Sequence, residues 1–325
     1  MNSQETFPKN SRVLILGHRG LVGSALVRRF TSQGFQNILT VPRDQVDLRD
    51  QQQTREFFLT QKPDFVIQAA ARVGGIVANS SFPYQFIYDN LMITSNVIES
   101  SRLAGVKKTL VLGSTCIYPR LAPQPIREES LLTGPLESTN EWYAVAKIAG
   151  IKLGQAARRE HGMCVISAMP TNLYGPNDNY DLQSAHVLPA LIRKFHQAKV
   201  QGNPEVVMWG TGTPRREFLH VDDLARALHL LMDVYDHEDI LNIGCGQDIT
   251  ILELAQTVGR IVGFEGQIVL DTSKPDGTPK KQTDIGRISA LGWAPEIGLE
   301  DGIRGAYNWF LQNYPQESAV VQSAS

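Results

Sequence analysis

SRVLILGHRGLVGSA, residues 11–25, decides how this chain is read. Residues 13–16 are a short apolar run of branched side chains. The run stops at Gly17, His18, Arg19, Gly20, Leu21, Val22 and Gly23, and an amphipathic helical pattern follows over 21–30. That order is a buried strand, a tight glycine turn and a helix N-terminus. Such a turn brings backbone N–H groups and the positive end of a helix dipole against a pyrophosphate. The glycines are spaced G-x-x-G-x-x-G rather than G-x-G-x-x-G. A glycine trio alone also suits a plain loop; the strand before it and the helix after it select the dinucleotide reading.

The rest of the composition sets limits. The 325 residues suffice for one large or two modest cores. A formal net charge of −2 implies no nucleic acid or other polyanion as partner. Three separated cysteines, Cys116, Cys164 and Cys245, offer neither a disulfide framework nor metal-ligand spacing, so no metal is expected. They suit a reducing, cytoplasmic location. No apolar run approaches the ~20 residues that span a membrane, and the first residues, MNSQETFPKNS, lack a signal-peptide core. Residues 1–10 and 316–325 read as flexible ends.

Outward from the glycine turn, strands are expected at 37–41, 64–68, 108–113 and 164–169. They alternate with helices at 52–60, 83–104 and from about 140 to 160. This is the pattern of a Rossmann-type doubly wound parallel sheet, an α/β fold. Where many NAD-binding folds carry an acid for the ribose 2′-hydroxyl, this chain has Pro42 and Arg43, with Arg19 already in the turn. Two guanidinium groups suit a 2′-phosphate, which points to NADP(H) over NAD(H). The alternative for Arg43 is a solvated surface charge. Asp47 is available to an adenine amino group. Ala69, Ala70 and Ala71 leave room at a strand end for a flat cofactor, and Gly74 and Gly75 begin a loop. Asn90, inside a helical pattern, reads as a surface residue or as the anchor of a buried water.

Past Pro176 the elements shorten. Helices are expected at 186–199, 221–234, 250–262 and 299–313, strands at 205–209, 217–220, 240–243 and 267–270, and a turn at 274–277. The division expected is a nucleotide-binding domain over 11–176, a mainly substrate-binding α/β domain over 177–315, and a return of 212–240 to the first. Cys164, within a strand, and Cys245, in a distal loop, read as structural.

Tyr143 and Lys147 lie i,i+4 and so share a helix face. An ammonium beside a phenol favours the phenolate and lowers its pKa from about 10, which lets the tyrosine exchange a proton with a carbonyl or alcohol oxygen. Ser114, at a strand end, is placed to donate to the same oxygen. Together with the glycine turn, this trio makes the chain resemble the extended short-chain dehydrogenase/reductases. The resemblance runs over about residues 11–312. It is carried by GHRGLVGSA (17–25), AAARVGGI (69–76), GSTCIYP (113–119), YAVAKIAG (143–150), MPTNLYGPNDN (169–179), HVLPALIRK (186–194), WGTGTPRREFLHVDD (209–223) and SKPDGTP (273–279).

The resemblance is narrowest to the branch that epimerises GDP-4-keto-6-deoxy-D-mannose at C3 and C5 and reduces it at C4 with NADPH, giving GDP-L-fucose. That branch implies Cys116 and His186 as the base and acid of epimerisation, beside Ser114, Tyr143 and Lys147. It implies cofactor contacts from Gly17, His18, Arg19, Gly20, Leu21, Val22, Gly23, Arg43, Leu112, Gly113, Ser114, Thr115, Lys147, Pro170, Thr171, Asn172, Leu173 and His186. It places the GDP-sugar on Lys194, Trp209, Arg216 and Asp276, where Lys194 replaces a common arginine and loses its bidentate fork. Core filler is the other reading of Trp209. A homodimer through helices near 83–104 and 138–160 is implied as well. Two other functions stay open at this point: another nucleotide-sugar epimerase or dehydratase, and a non-catalytic NADP(H)-binding regulator. Arg19 with Arg43, and Cys116 with His186, speak against the first; the intact Ser114, Tyr143 and Lys147 speak against the second.

Overall fold

In the computed structural model, which describes residues 7–274 and 276–315, the first half of the chain alternates strands with helices, two of them between β3 and β4. They are β1 (Arg12–Leu16), α1 (Leu21–Ser32), β2 (Asn37–Leu39), α2 (Gln51–Gln61), β3 (Phe65–Gln68), α3 (Ile76–Ser81), α4 (Pro83–Leu103), β4 (Lys108–Leu112), α5 (Glu141–His161) and β5 (Val165–Pro170). Then follow β6 (Asn172–Tyr174), α6 (Val187–Gln201), β7 (Glu205–Trp209), β8 (Arg215–Arg216), β9 (Phe218–His220), α7 (Val221–Val234) and β10 (Leu241–Ile243). The chain closes with β11 (Ile249–Thr250), α8 (Ile251–Val262), β12 (Gln267–Asp271), β13 (Lys280–Lys281), α9 (Gly286–Ala290) and α10 (Leu299–Asn313).

A parallel six-stranded sheet, in the order β10-β5-β4-β3-β1-β2, organises these elements. Successive strand residues face opposite sides, and both sides of β1 are covered. Val13 and Ile15 join the core beneath α1 and α7, whereas Leu14 and Leu16 join the one that holds Phe58 of α2 and Val97 of α4. From β1 the chain moves outward to β2, then crosses back to β3 on the other side. The carboxyl ends of β1 and β3 therefore flank the point where strand order reverses, the place where such sheets bind ligands. A separate core under α6, α8 and α10 supports the later, shorter strands. Among the described residues no helix is long and apolar enough to cross a membrane.

Several expectations are corrected. Residues 7–10 are not a flexible end: Phe7 is buried against Phe30, Phe35 and Phe65, and the Lys9 carbonyl accepts from Gln36 N. Residues 1–6 and 316–325 lie outside the described residues, as does Pro275 of the expected 274–277 turn. The segment after Gly75 is a short helix, α3, whose Asn79 amide donates back to the Gly74 and Gly75 carbonyls. Cys164 precedes β5 rather than lying in it. Asn90 is buried without needing a water, because it accepts from Arg72 N and donates to the carbonyls of Arg72 and Phe86.

Candidate functional site

A cavity of about 560 Å³ opens at the carboxyl ends of β1, β3, β4 and β5. Its floor is the glycine turn. Gly17 has φ +85°, and a Cβ there would stand 2.7 Å from the Ala70 amide nitrogen at the end of β3. A Cβ on Gly23 would fall on the Gly17 carbonyl. The turn is thus closed against β3, with Gly20 N bonded to Gly17 O, and the start of α1 faces the cavity with no acid in its first turn. Unpaired N–H groups at a helix start with no competing carboxylate fit a dinucleotide diphosphate. Gly17, Gly20, Leu21, Val22 and Gly23 line this floor. His18 and Arg19 do not; Arg19 projects into solvent, and burial with the Arg19 charge lowers the His18 pKa.

At one end the wall is charged. Arg43 lines the cavity as a largely exposed side chain 3.8 Å from Asp47. Arg49, Arg72 and Asp89, none singled out in the sequence, extend the cluster. Arg49 Nη1 reaches Asp89 at 3.1 Å and Arg72 Nη1 reaches it at 3.2 Å. Asp47 turns both carboxylate oxygens to Arg49 instead of leaving one for an adenine amino group, and that contact holds its pKa down. Three arginines against two aspartates leave a net positive wall, which suits a 2′-phosphate.

The middle of the cavity holds the reactive groups. Leu112 to Thr115 run from the end of β4, Tyr143 and Lys147 project from α5, and Pro170 to Leu173 run from the end of β5 into β6. Lys147 Nζ donates to the Leu112 carbonyl at 2.7 Å and lies 5.5 Å from the centre of the Tyr143 ring. The expectation that lysine depresses the phenol pKa is not met in this arrangement. Burial raises Tyr143, and the nearby Cys116 adds to the effect, while burial pushes Lys147 down to about 8. The lysine is anchored to backbone, so low polarity dominates both groups.

Cys116 sits behind Ser114, 7% exposed and outside the cavity lining, with its N–H donating to Ser114 Oγ at 3.3 Å. Burial raises its thiol; Lys281, the Ser114 hydroxyl and Lys147 draw it back. Lys281 is a residue that sequence reasoning missed. It lies on β13 beside Arg216 of β8, and as half of a Lys-Lys pair it reads as surface charge. His186, the residue before α6, is exposed and opens onto the cavity, and the protein packed around it lowers its pKa.

The four expected sugar-nucleotide residues lie outside the lining. Lys194, on α6, is half-buried and lowered by burial. Arg216, on β8, is also lowered by burial, with Glu137 and Asp276 partly offsetting it. Trp209 is 61% exposed with Lys274 Nζ 5.7 Å from its ring centre, so it is not core filler. Asp276 is held in place by Thr211, accepting from its N–H at 2.9 Å and its hydroxyl at 2.7 Å. Lys281 feels both Cys116 and Arg216 and so links this basic neighbourhood to the thiol behind Ser114.

Three comparisons bear on this arrangement. The model of the NAD dependent epimerase/dehydratase family matches residues 13–244. GDP-L-fucose synthase 1 of Arabidopsis thaliana is 55% identical over 305 residues, covering 94% of both chains. GDP-L-fucose synthase of Escherichia coli (strain K12) is 50% identical over 93% of this chain and 97% of its own. Among solved structures, a GDP-L-fucose synthetase from Naegleria fowleri bound to NADP superposes with a TM-score of 0.87 at 31% identity, covering 96% of this chain and 97% of its own.

Proposed function

The chain belongs to the NAD dependent epimerase/dehydratase family, and from that premise we propose that it converts GDP-4-keto-6-deoxy-D-mannose to GDP-L-fucose, using NADP(H). The relatives at 50% and 55% identity support the reaction. The observation that carries it is a buried thiol and a cavity-lining imidazole, Cys116 and His186, around a Ser114–Tyr143–Lys147 centre. A simple reductase needs only the centre.

In this proposal Ser114 and the Tyr143 hydroxyl donate to the C4 oxygen and stabilise an enolate when a proton leaves C3 or C5. Cys116, as the thiolate, takes the proton and His186, as the imidazolium, returns one to the opposite face; solvent takes the proton from the thiol and restores it to the imidazole between the C3 and C5 inversions. Gly17, Gly20, Leu21, Val22 and Gly23 seat the cofactor diphosphate, Arg43 its 2′-phosphate, and residues 112–115 and 170–173 its nicotinamide half. Bound NADPH supplies hydride to C4. Tyr143, held neutral by burial, gives its proton to the C4 oxygen, and the Lys147 charge steadies the phenolate left behind. Lys194, Trp209, Arg216 and Asp276 take the GDP moiety. His18 and Arg19 stay in the scheme as rim residues.

The proposal also takes 11–176 with 212–240 as the nucleotide-binding part and 177–315 as mainly the substrate part, within a cytoplasmic homodimer. The packing of α7 on α1 supports this division, and the pairing of β10 with β5 carries the return on through Ile243.

The test supplies GDP-4-keto-6-deoxy-D-mannose with NADPH and follows nicotinamide absorbance and product configuration. Oxidation of NADPH with inversion at C3 and C5 is expected, and Cys116→Ser should lose the inversions. No oxidation sinks the proposal; reduction without inversion reduces it to a 4-reductase.

A further inference from the structure

Asp178, in the loop between β6 and α6, lines the same cavity and has no part in the scheme above. Only 7% of its surface is exposed. One carboxyl oxygen accepts from the Asn179 N–H at 2.8 Å; the other, Oδ2, is buried with no partner among the described residues. The loop is firmly set. Asn177 takes a left-handed φ of 66°, Asp178 N donates to the Gly175 carbonyl, and the Asn177 amide donates to Ser24 Oγ at 3.0 Å in the first turn of α1. The loop that carries the orphan oxygen is therefore clipped to the helix whose N-terminus faces the cavity.

A buried carboxylate with an unmet oxygen is strongly disfavoured. It would also repel a diphosphate. A neutral carboxyl has neither fault, because its O–H is a donor and phosphate oxygens are acceptors. We propose that Asp178 is a cofactor-contacting residue that binds NADP(H) as the carboxylic acid, donating from Oδ2 to a diphosphate oxygen. The inference rests on the reading of the cavity as an NADP(H) site. A GDP-sugar offers the same chemistry; the clip to Ser24 at the start of α1 selects the cofactor.

Burial pushes this carboxyl up to about 7, opposed only by the Asn179 N–H. Around it stand Tyr180, whose hydroxyl donates to the Ala306 carbonyl of α10, and Arg193 of α6, which donates to the Tyr180 carbonyl. His186 and Lys147 share the cavity wall. Tyr180 is raised and His186 lowered by burial, so neither changes charge between pH 7 and 9. Lys147 does, near 8, and its loss of charge also weakens anion binding, so the test needs a variant for reference.

The measurement is the dissociation constant of NADPH, from nicotinamide fluorescence, at pH 6.5, 7.5 and 8.5, with GDP titrated in parallel. Wild type should weaken by about tenfold more across this range than Asp178→Asn, which keeps a neutral donor at every pH. Asp178→Ala should bind more weakly than Asp178→Asn throughout. Equal pH profiles for wild type and Asp178→Asn overturn the proposal, as does a dependence carried by GDP and absent for NADPH. Should a variant not fold, a flat wild-type profile alone overturns it. NADPH failing to bind wild type at any pH overturns the cavity reading beneath it.

Discussion

Tyr143 and Lys147 stand one helical turn apart, and the same low-polarity surround moves them in opposite directions. The phenol is held neutral and the lysine brought down to about 8. At neutral pH this leaves a proton on the tyrosine, ready for the C4 oxygen, and a positive charge behind it to receive the phenolate. Lysine is charged below its pKa, so reduction should fall as pH rises through about 8. A rate profile of NADPH oxidation from pH 6.5 to 9.5 checks this, and a rate still level at 9.5 refutes it. Tyr143→Phe should cost about 10²–10⁴ in reduction rate while NADPH binding, read by fluorescence, holds. Asp178 makes a separate prediction about stability. Its folded pKa is raised, so the folded state holds the extra proton between about 4 and 7. The stability this provides is full below the unfolded value and lost as pH climbs through 7. Asp178→Asn removes the cost of the charged form, so it should stabilise the fold at pH 8 by up to about 4 kcal/mol, with no such gain near pH 4. Urea unfolding at the two pH values decides it. Neither Asp178 nor Lys281 was legible in the sequence. The first reads as one more polar loop residue and the second as surface charge, because enclosure is set by distant strands.

At the scale of the element, the β1–turn–α1 unit was legible because each of its parts has a local cause. Branched residues at 13–16 favour strand, Gly17 supplies a positive φ, and Gly23 lets the helix approach the turn. Gly23→Ala places a methyl on the Gly17 carbonyl, so the turn must open. NADPH binding should weaken by at least about tenfold, measured by titration; an unchanged affinity would show that the turn does not hold the diphosphate. The parallel sheet was legible for the same reason, since strand-length apolar runs alternate with helical periods. What escaped was structure that long-range packing decides. Phe7 lies in a polar run that reads as a loose end, yet it closes the core between α1, β3 and the chain before β2, edge-on to Phe30 and Phe65. Phe7→Ala should therefore destabilise the fold by about 3–5 kcal/mol, seen as a lower urea midpoint, whereas a residue in a loose end would cost almost nothing. The short α3 escaped because its amide bonds to Gly74 and Gly75 are specific to the fold.

Across the whole molecule, buried polar groups join what the strand order separates. Glu217, fully buried between β8 and β9, accepts from Gly246 N after β10 and from Thr283 N and Oγ1 after β13. It thereby fixes the strand bearing Lys281 against the strand bearing Arg216, beside Cys116. That tie faces inward, whereas α4 and α5, which pack on each other, carry large apolar side chains exposed on their outer faces. Tyr84 is 71% exposed and stacks on Tyr88, and Trp142, Val145 and Leu153 follow one another along α5 at helical spacing. An exposed apolar stripe shared by two adjacent helices is the kind of surface a second copy covers, and it is the physical ground for the proposed homodimer. Because the stripe lies on the outward faces, charging it should leave the cavity intact. Tyr84→Glu combined with Leu153→Glu should move the light-scattering mass from about twice that of the chain to the single-chain value, with NADPH still bound. Wild type running at the single-chain mass at micromolar concentration would refute the dimer, and a double variant that remains dimeric would place the interface on another face.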